Sequence, residues 1–99
     1  PSVTINSPVA GSSYVIGETL AASGSASDPE DGPLAGASLQ WSVNLHHNDH
    51  VHPDWYRFSG SSGSFLADDH GNNTWLELCL TATDSQGLSG KSCRAFYPE

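Results

Sequence analysis

The chain has 99 residues and a formal net charge of −8 with its histidines neutral, from 11 Asp and Glu against 3 Lys and Arg. So acidic a surface excludes nucleic acid as a partner, because its binders gather Lys and Arg on one face, and it disfavours anionic membrane surfaces. A chain this short makes one domain, residues 1–99, that buries only about two-thirds of its unfolded surface, so a crosslink or a bound ion adds noticeably to its stability. No stretch carries a helical apolar stripe, and no apolar run is long enough to span a bilayer. Ser, Gly, Thr, Asp and Asn are abundant, and short β-prone runs between Gly, Pro and Asp turns predict an all-β sandwich. The chain reads as a module excised from a larger secreted protein, and a monomer is expected.

In chain order, residues 2–5 form a short β-prone run ending in the switch Asn6-Ser7-Pro8, and residues 11–14 can pair on the other edge. Residues 18–26 alternate, with Leu20, Ala22, Gly24 and Ala26 on the inner face. An acidic turn follows through Asp28, Glu30, Asp31 and Gly32. Residues 38–45 turn Leu39, Trp41, Val43 and Leu45 inward, and Trp41 is the expected centre of the core. Residues 46–56 break the pattern with His46, His47, His50 and His52 followed by Trp55 and Tyr56; they read as a long loop, with a strand resuming at 56–58. A Ser/Gly turn and a short strand at 63–67 lead into Asp68, Asp69 and His70. Asn72-Asn73-Thr74 matches a glycosylation acceptor.

The best-specified stretch is 75–84. Leu76, Leu78, Leu80 and Ala82 fall on one side, and Trp75, Glu77, Cys79, Thr81 and Thr83 on the other. That is a strand with one face on a core and one in water. The turn signal Asp84-Ser85-Gln86-Gly87 joins it to a second strand at 91–97. Folding this hairpin about Gln86 sets Cys79 against Cys93. A disulfide there closes a loop of about 14 residues, contributing roughly 3 kcal/mol in the chain-entropy model; the alternative is two free surface thiols.

A sandwich places candidate residues at two poles. The turn after the second strand and the turn of the last hairpin share one end, so Asp28, Glu30, Asp31 and Asp84 converge there, and the Asn6-Ser7 switch can approach them. Calcium takes six to eight oxygens of this kind. Against this, Asp before a turn caps it without any metal. At the opposite end stand His46, His47, His50, His52 and His70. His47 shares the inward parity of Trp41, and His46 points outward. Neutral imidazoles at His47, His50, His52 and His70 suit zinc or copper, or they hold a loop by hydrogen bonds alone. Trp55, Tyr56 and the outward Trp75 belong to this end too, and exposed rings beside His50, His52 and His70 are what sugar recognition uses. Trp55 and Tyr56 read equally well as the edge of the core.

Three stretches carry a family resemblance. Ser25-Ala-Ser-Asp28-Pro-Glu-Asp-Gly, Leu39-Gln-Trp41 and Leu80-Thr-Ala-Thr-Asp84-Ser-Gln-Gly-Leu88 resemble bacterial immunoglobulin-like modules of the PKD (polycystic kidney disease) and cadherin-like type. More narrowly, Trp41 to His47, His50-Val-His-Pro, Ser62-Gly-Ser-Phe, Asp69-His70 and Leu76-Glu-Leu resemble an accessory module of secreted bacterial quinone-dependent sugar dehydrogenases and polysaccharide-active enzymes. The resemblance implies an immunoglobulin-like (PKD-type) sandwich of about seven strands. It also implies calcium held by the matching Asn6-Ser7, loop Asp and hairpin Asp positions. The acidic turn is one residue longer than the usual Asp-x-Asp-Gly, which leaves the second acidic role to Glu30 or Asp31.

Catalysis by this chain alone is not expected. Asp68 and Asp69 are adjacent, so their side chains diverge, whereas glycosidases hold two carboxylates on facing walls. There is no Gly-x-Ser-x-Gly elbow. The expected function is a non-catalytic, calcium-stabilised carbohydrate-binding module of a secreted bacterial enzyme. Its partners are then a polysaccharide or oligosaccharide and a catalytic domain in the same chain. The alternatives are a structural spacer and a transition-metal-binding domain.

Overall fold

The computed structural model describes residues 1–71 and 73–99, so the glycosylation acceptor at Asn72 lies outside the described residues. Among the described residues eight strands follow in order: β1 (Ser2–Ser7), β2 (Thr19–Asp28), β3 (Gly32–Leu34), β4 (Leu39–His47), β5 (His50–Ser59), β6 (Ser62–Leu66), β7 (Thr74–Thr83) and β8 (Ser89–Phe96), with one 3-10 turn at Gly36–Ser38. They form two antiparallel four-stranded sheets. In the first, β2 carries β1 on one edge and β3 with β6 on the other. The second has the order β5-β4-β7-β8. Tyr14 leaves the first sheet and bridges to Pro98 in parallel, its N–H donating to the Tyr97 carbonyl.

The core fills the space between the sheets. Ile5, Ala22, Ala26 and Phe65 from one sheet meet Leu39, Trp41, Val43, Leu45, Leu76, Leu78, Leu80, Ala82 and Phe96 from the other. These are the positions that period-two alternation turns inward. Trp41 sits at the centre, 1 % exposed, with its ring stacked 5.6 Å from Phe58 and its N–H donating to the Gly60 carbonyl at 2.7 Å. Cys79 and Cys93 lie opposite each other on β7 and β8 and are joined by a disulfide, Cα–Cα 4.1 Å.

The expected long loop at 46–56 is absent. β4 runs on to His47, Asn48 and Asp49 make a two-residue turn, and β5 begins at His50. Asn48 supplies the left-handed backbone at φ 55°, which Asn tolerates better than most residues. Its N–H and side-chain carbonyl are taken by the Asn73 carbonyl and the Asn73 amide. The hairpin has one irregularity: Pro53, Asp54 and Trp55 stand opposite the single residue Asn44. Asp54 is left-handed there at φ 53°, and its N–H donates to the Asn44 side chain at 3.0 Å. Such a bulge re-aims the side chains beside it.

Candidate functional site

The inward row of β4 ends Leu45, His47, and the register sets His52 against Leu45 and His50 against His47. These three histidines therefore continue the core face past the last apolar residue. The segment between β6 and β7 crosses the same end and adds His70. The rings then form a closed circuit: His47–His50 at 5.2 Å, His50–His52 at 5.2 Å, His52–His70 at 4.9 Å and His70–His47 at 4.9 Å between centroids, each pair nearly perpendicular. The bulge turns Trp55 to this side, with its ring 5.4 Å from both His52 and His70. The Trp55 N–H and the Tyr56 hydroxyl both donate to one Asp68 oxygen, each at 2.7 Å. That bond, burial and the Asp68 charge push the Tyr56 phenol above its ordinary value.

Within the circuit His52 is the inner member. Its Nε2 is buried and meets no hydrogen-bond partner. Burial, then the neighbouring His70, His50 and His47, hold its imidazole below the ordinary value, so the neutral form prevails. His50 is half exposed and approaches Asp49 at 3.6 Å. His47 Nε2 lies 3.3 Å from the exposed amide of Asn48.

Of the other expected sugar-binding rings, Tyr56 reaches this end only through its hydroxyl, and Trp75 stands elsewhere. Tyr56 packs on the core, 6.3 Å from Phe65. Trp75 lies on the outer face of its sheet, away from Trp55. It is stacked 3.7 Å from His46 of β4 on one flank and 5.3 Å from Tyr97 after β8 on the other. Neighbours on opposite flanks of β7 cover opposite faces of the indole, so Trp75 has no free face. His46 also reaches Glu77 at 3.3 Å, beside an Asn44 amide that donates to the same oxygen at 3.2 Å. Sequence reasoning passed over Asn44 and Asn48, and weighed Asp68 only with Asp69 as a carboxylate pair. Only Asn48 carried a signal, as half of an Asn-Asp pair between two strand-parity histidines. On this outer face a shallow groove of about 260 Å³, bordered by Gln40, Ser42, Asp54, Arg57 and Thr81, includes none of the expected site residues.

At the other pole Asp28 is buried, and its Oδ2 accepts the N–H groups of Glu30 and Asp31. Burial raises its carboxyl. The Asp31 and Glu30 N–H groups, with hydrogen bonds shared with the Glu30 and Asp84 side chains, outweigh this and hold it below the ordinary value. The Glu30 and Asp84 side chains thus approach Asp28, but among the described residues no three carboxylates of this pole bring oxygens within 4.8 Å of one another. Asp31 instead turns to Ser85, accepting its N–H at 2.7 Å and its hydroxyl at 2.9 Å. Asn6 and Ser7 do not join this group. β1 runs antiparallel to β2, so Ser2 pairs with Ser27 beside Asp28, while Ser7 pairs with Ser23 and bonds its hydroxyl. Four residues of strand put Ser7 about 13 Å from that end.

Among the described residues, the one trio of potential metal-ligand atoms within 4.8 Å of one another is Glu77, Cys79 and Cys93, and both of its sulfurs are in the disulfide. Comparison of the chain with family models, curated proteins and solved structures found no match.

Proposed function

We propose that the chain is an immunoglobulin-like, PKD-type accessory module of a secreted bacterial carbohydrate-active enzyme, without catalytic chemistry of its own, and that it takes polysaccharide at the histidine pole. The supporting observation is Trp55: an indole 36 % exposed, tethered through its N–H to Asp68 and backed by His52 and His70. A rigid indole face accepts the C–H face of a pyranose, and imidazoles beside it meet the hydroxyls. His52 and His70 are the nearest imidazoles, and His50 is the most exposed of the circuit. Trp75 plays no part in this reading, because both of its faces are covered. Calcium is proposed at the opposite pole on the reduced set Asp28, Glu30 and Asp84.

Affinity electrophoresis through gels containing different polysaccharides tests the reading. The native chain is expected to be retarded by at least one of them. Trp55→Ala removes the retardation while the melting temperature changes little. Trp75→Ala keeps the retardation but melts earlier, since it empties the stack between His46 and Tyr97. A native chain that runs unretarded in every gel overturns the proposal and leaves a spacer.

A further inference from the structure

The polysaccharide reading uses the rim of the histidine pole and leaves its interior unexplained. A buried nitrogen without a partner carries a free-energy cost of about 1–3 kcal/mol, and native proteins rarely leave one. His52 Nε2 is in that position, on a ring whose centroid lies 5.2 Å from that of His50 and 4.9 Å from that of His70. A hydrogen-bonded scaffold would spend its donors and acceptors on one another. Here the rings meet edge to face instead.

We propose that His47, His50, His52 and His70 form a binding site for one divalent transition ion of the imidazole-preferring class, zinc or copper, with His52 Nε2 as its innermost ligand. The spacing agrees. Two imidazoles on one tetrahedral ion, each bound at about 2.0–2.1 Å, have centroids about 5 Å apart, and the four sides of the circuit measure 5.2, 5.2, 4.9 and 4.9 Å. The rings are not yet closed on an ion. Any three of them include a pair from across the circuit, and among the described residues no three bring nitrogens within 4.8 Å of one another. Closure therefore draws the circuit together, chiefly by rotation of the half-exposed His50 and of His70 on its connecting segment. The Asn48 amide on His47 is exposed and yields to the ion.

The site needs no glycan and is independent of the polysaccharide reading, so it is tested on the protein alone. Tag-free protein is stripped with chelator, dialysed against zinc chloride or copper(II) chloride, and analysed for bound metal. The native chain is expected to hold one ion per molecule and to melt at a higher temperature with metal than without. His52→Ala and His70→Ala each lower the affinity by more than about tenfold, because ligands count for at least as much as the groups that orient them. His46→Ala, on the outer face, binds as the native chain does. His50→Gln, at the most open ring, keeps the fold and also weakens binding. A native chain that binds neither ion overturns the site. So does binding that survives His52→Ala, or that is lost equally in His46→Ala.

Discussion

Gly24 sets how closely the two sheets approach. A Cβ built on it would lie 2.7 Å from the Thr4 carbonyl oxygen, 2.9 Å from a Leu80 methyl and 3.0 Å from the far edge of the Trp41 ring. Two of these atoms belong to a neighbouring strand's backbone and to the largest buried side chain, neither free to move. Gly24→Ala is therefore an overpacking change, expected to cost about 1–3 kcal/mol. Urea unfolding followed by tryptophan fluorescence measures it. An unchanged midpoint would mean that β1 or the indole slides aside without penalty. The same residues show what alternation makes legible. Spacing alone puts Leu20, Ala22, Gly24 and Ala26 on one face and Trp41 at the centre. The need for glycine at 24 was not legible, because it comes from a ring and a carbonyl that are distant in sequence.

At the scale of the element, the β4–β5 hairpin and the β4–β7 pairing carry the outer and inner histidines to different places. His46 and His47 are adjacent, so they leave opposite faces of one strand. His46 joins Trp75 and Glu77 outside, and His47 joins the circuit inside. Parity at these two residues was legible. The hairpin was not, since a strand built of His, Val, His and Pro carries little β signal, and pairing with β4 supplies what propensity lacks. Trp55 was hidden further, because the bulge opposite Asn44 shifts its side. The outer network makes a pH prediction. Burial raises the Glu77 carboxyl, but the hydrogen bonds from Asn44 and His46 and the charges of His46 and Lys91 outweigh it and hold Glu77 below its ordinary value near 4.5. A depressed carboxyl contributes stability in full above that ordinary value and loses it as pH falls through the lower, folded one. Thermal melts from neutral to acidic pH should thus fall more steeply for the native chain than for Glu77→Gln below about pH 4.5. Parallel curves would mean that the network adds nothing.

For the whole molecule, two sheets and one disulfide leave a polar group at each pole, and strand direction decides the membership of each. The meeting of the turns after β2 and β7 was legible, because they share an end in any such sandwich, and Asp31 bonds Ser85 across it. The placing of Asn6 and Ser7 was not, because it depends on β1 starting, rather than finishing, beside Asp28. The reduced acidic group makes a sharper prediction than the larger one. Asp28 accepts two backbone N–H groups and lies 3.6 Å from the Pro1 ammonium, and Asp84 accepts the N–H groups of Gln86 and Leu88. A calcium ion there stabilises the folded state by mass action. At 100 times its dissociation constant the gain is about 2.7 kcal/mol, a rise in melting temperature on the order of 10 °C for a chain of this size. The measurement belongs in a His52→Ala background, so that the histidine pole adds nothing to the response. Millimolar calcium should raise the melting temperature there, and EGTA should reverse it. Glu30→Gln and Asp84→Asn should each remove the response. Asp31→Asn should keep it, since Asp31 serves Ser85. If calcium leaves the melting temperature unchanged, the three carboxylates are turn caps, and the pole is held by backbone N–H groups, the Pro1 ammonium and the Ser85 hydroxyl without an ion.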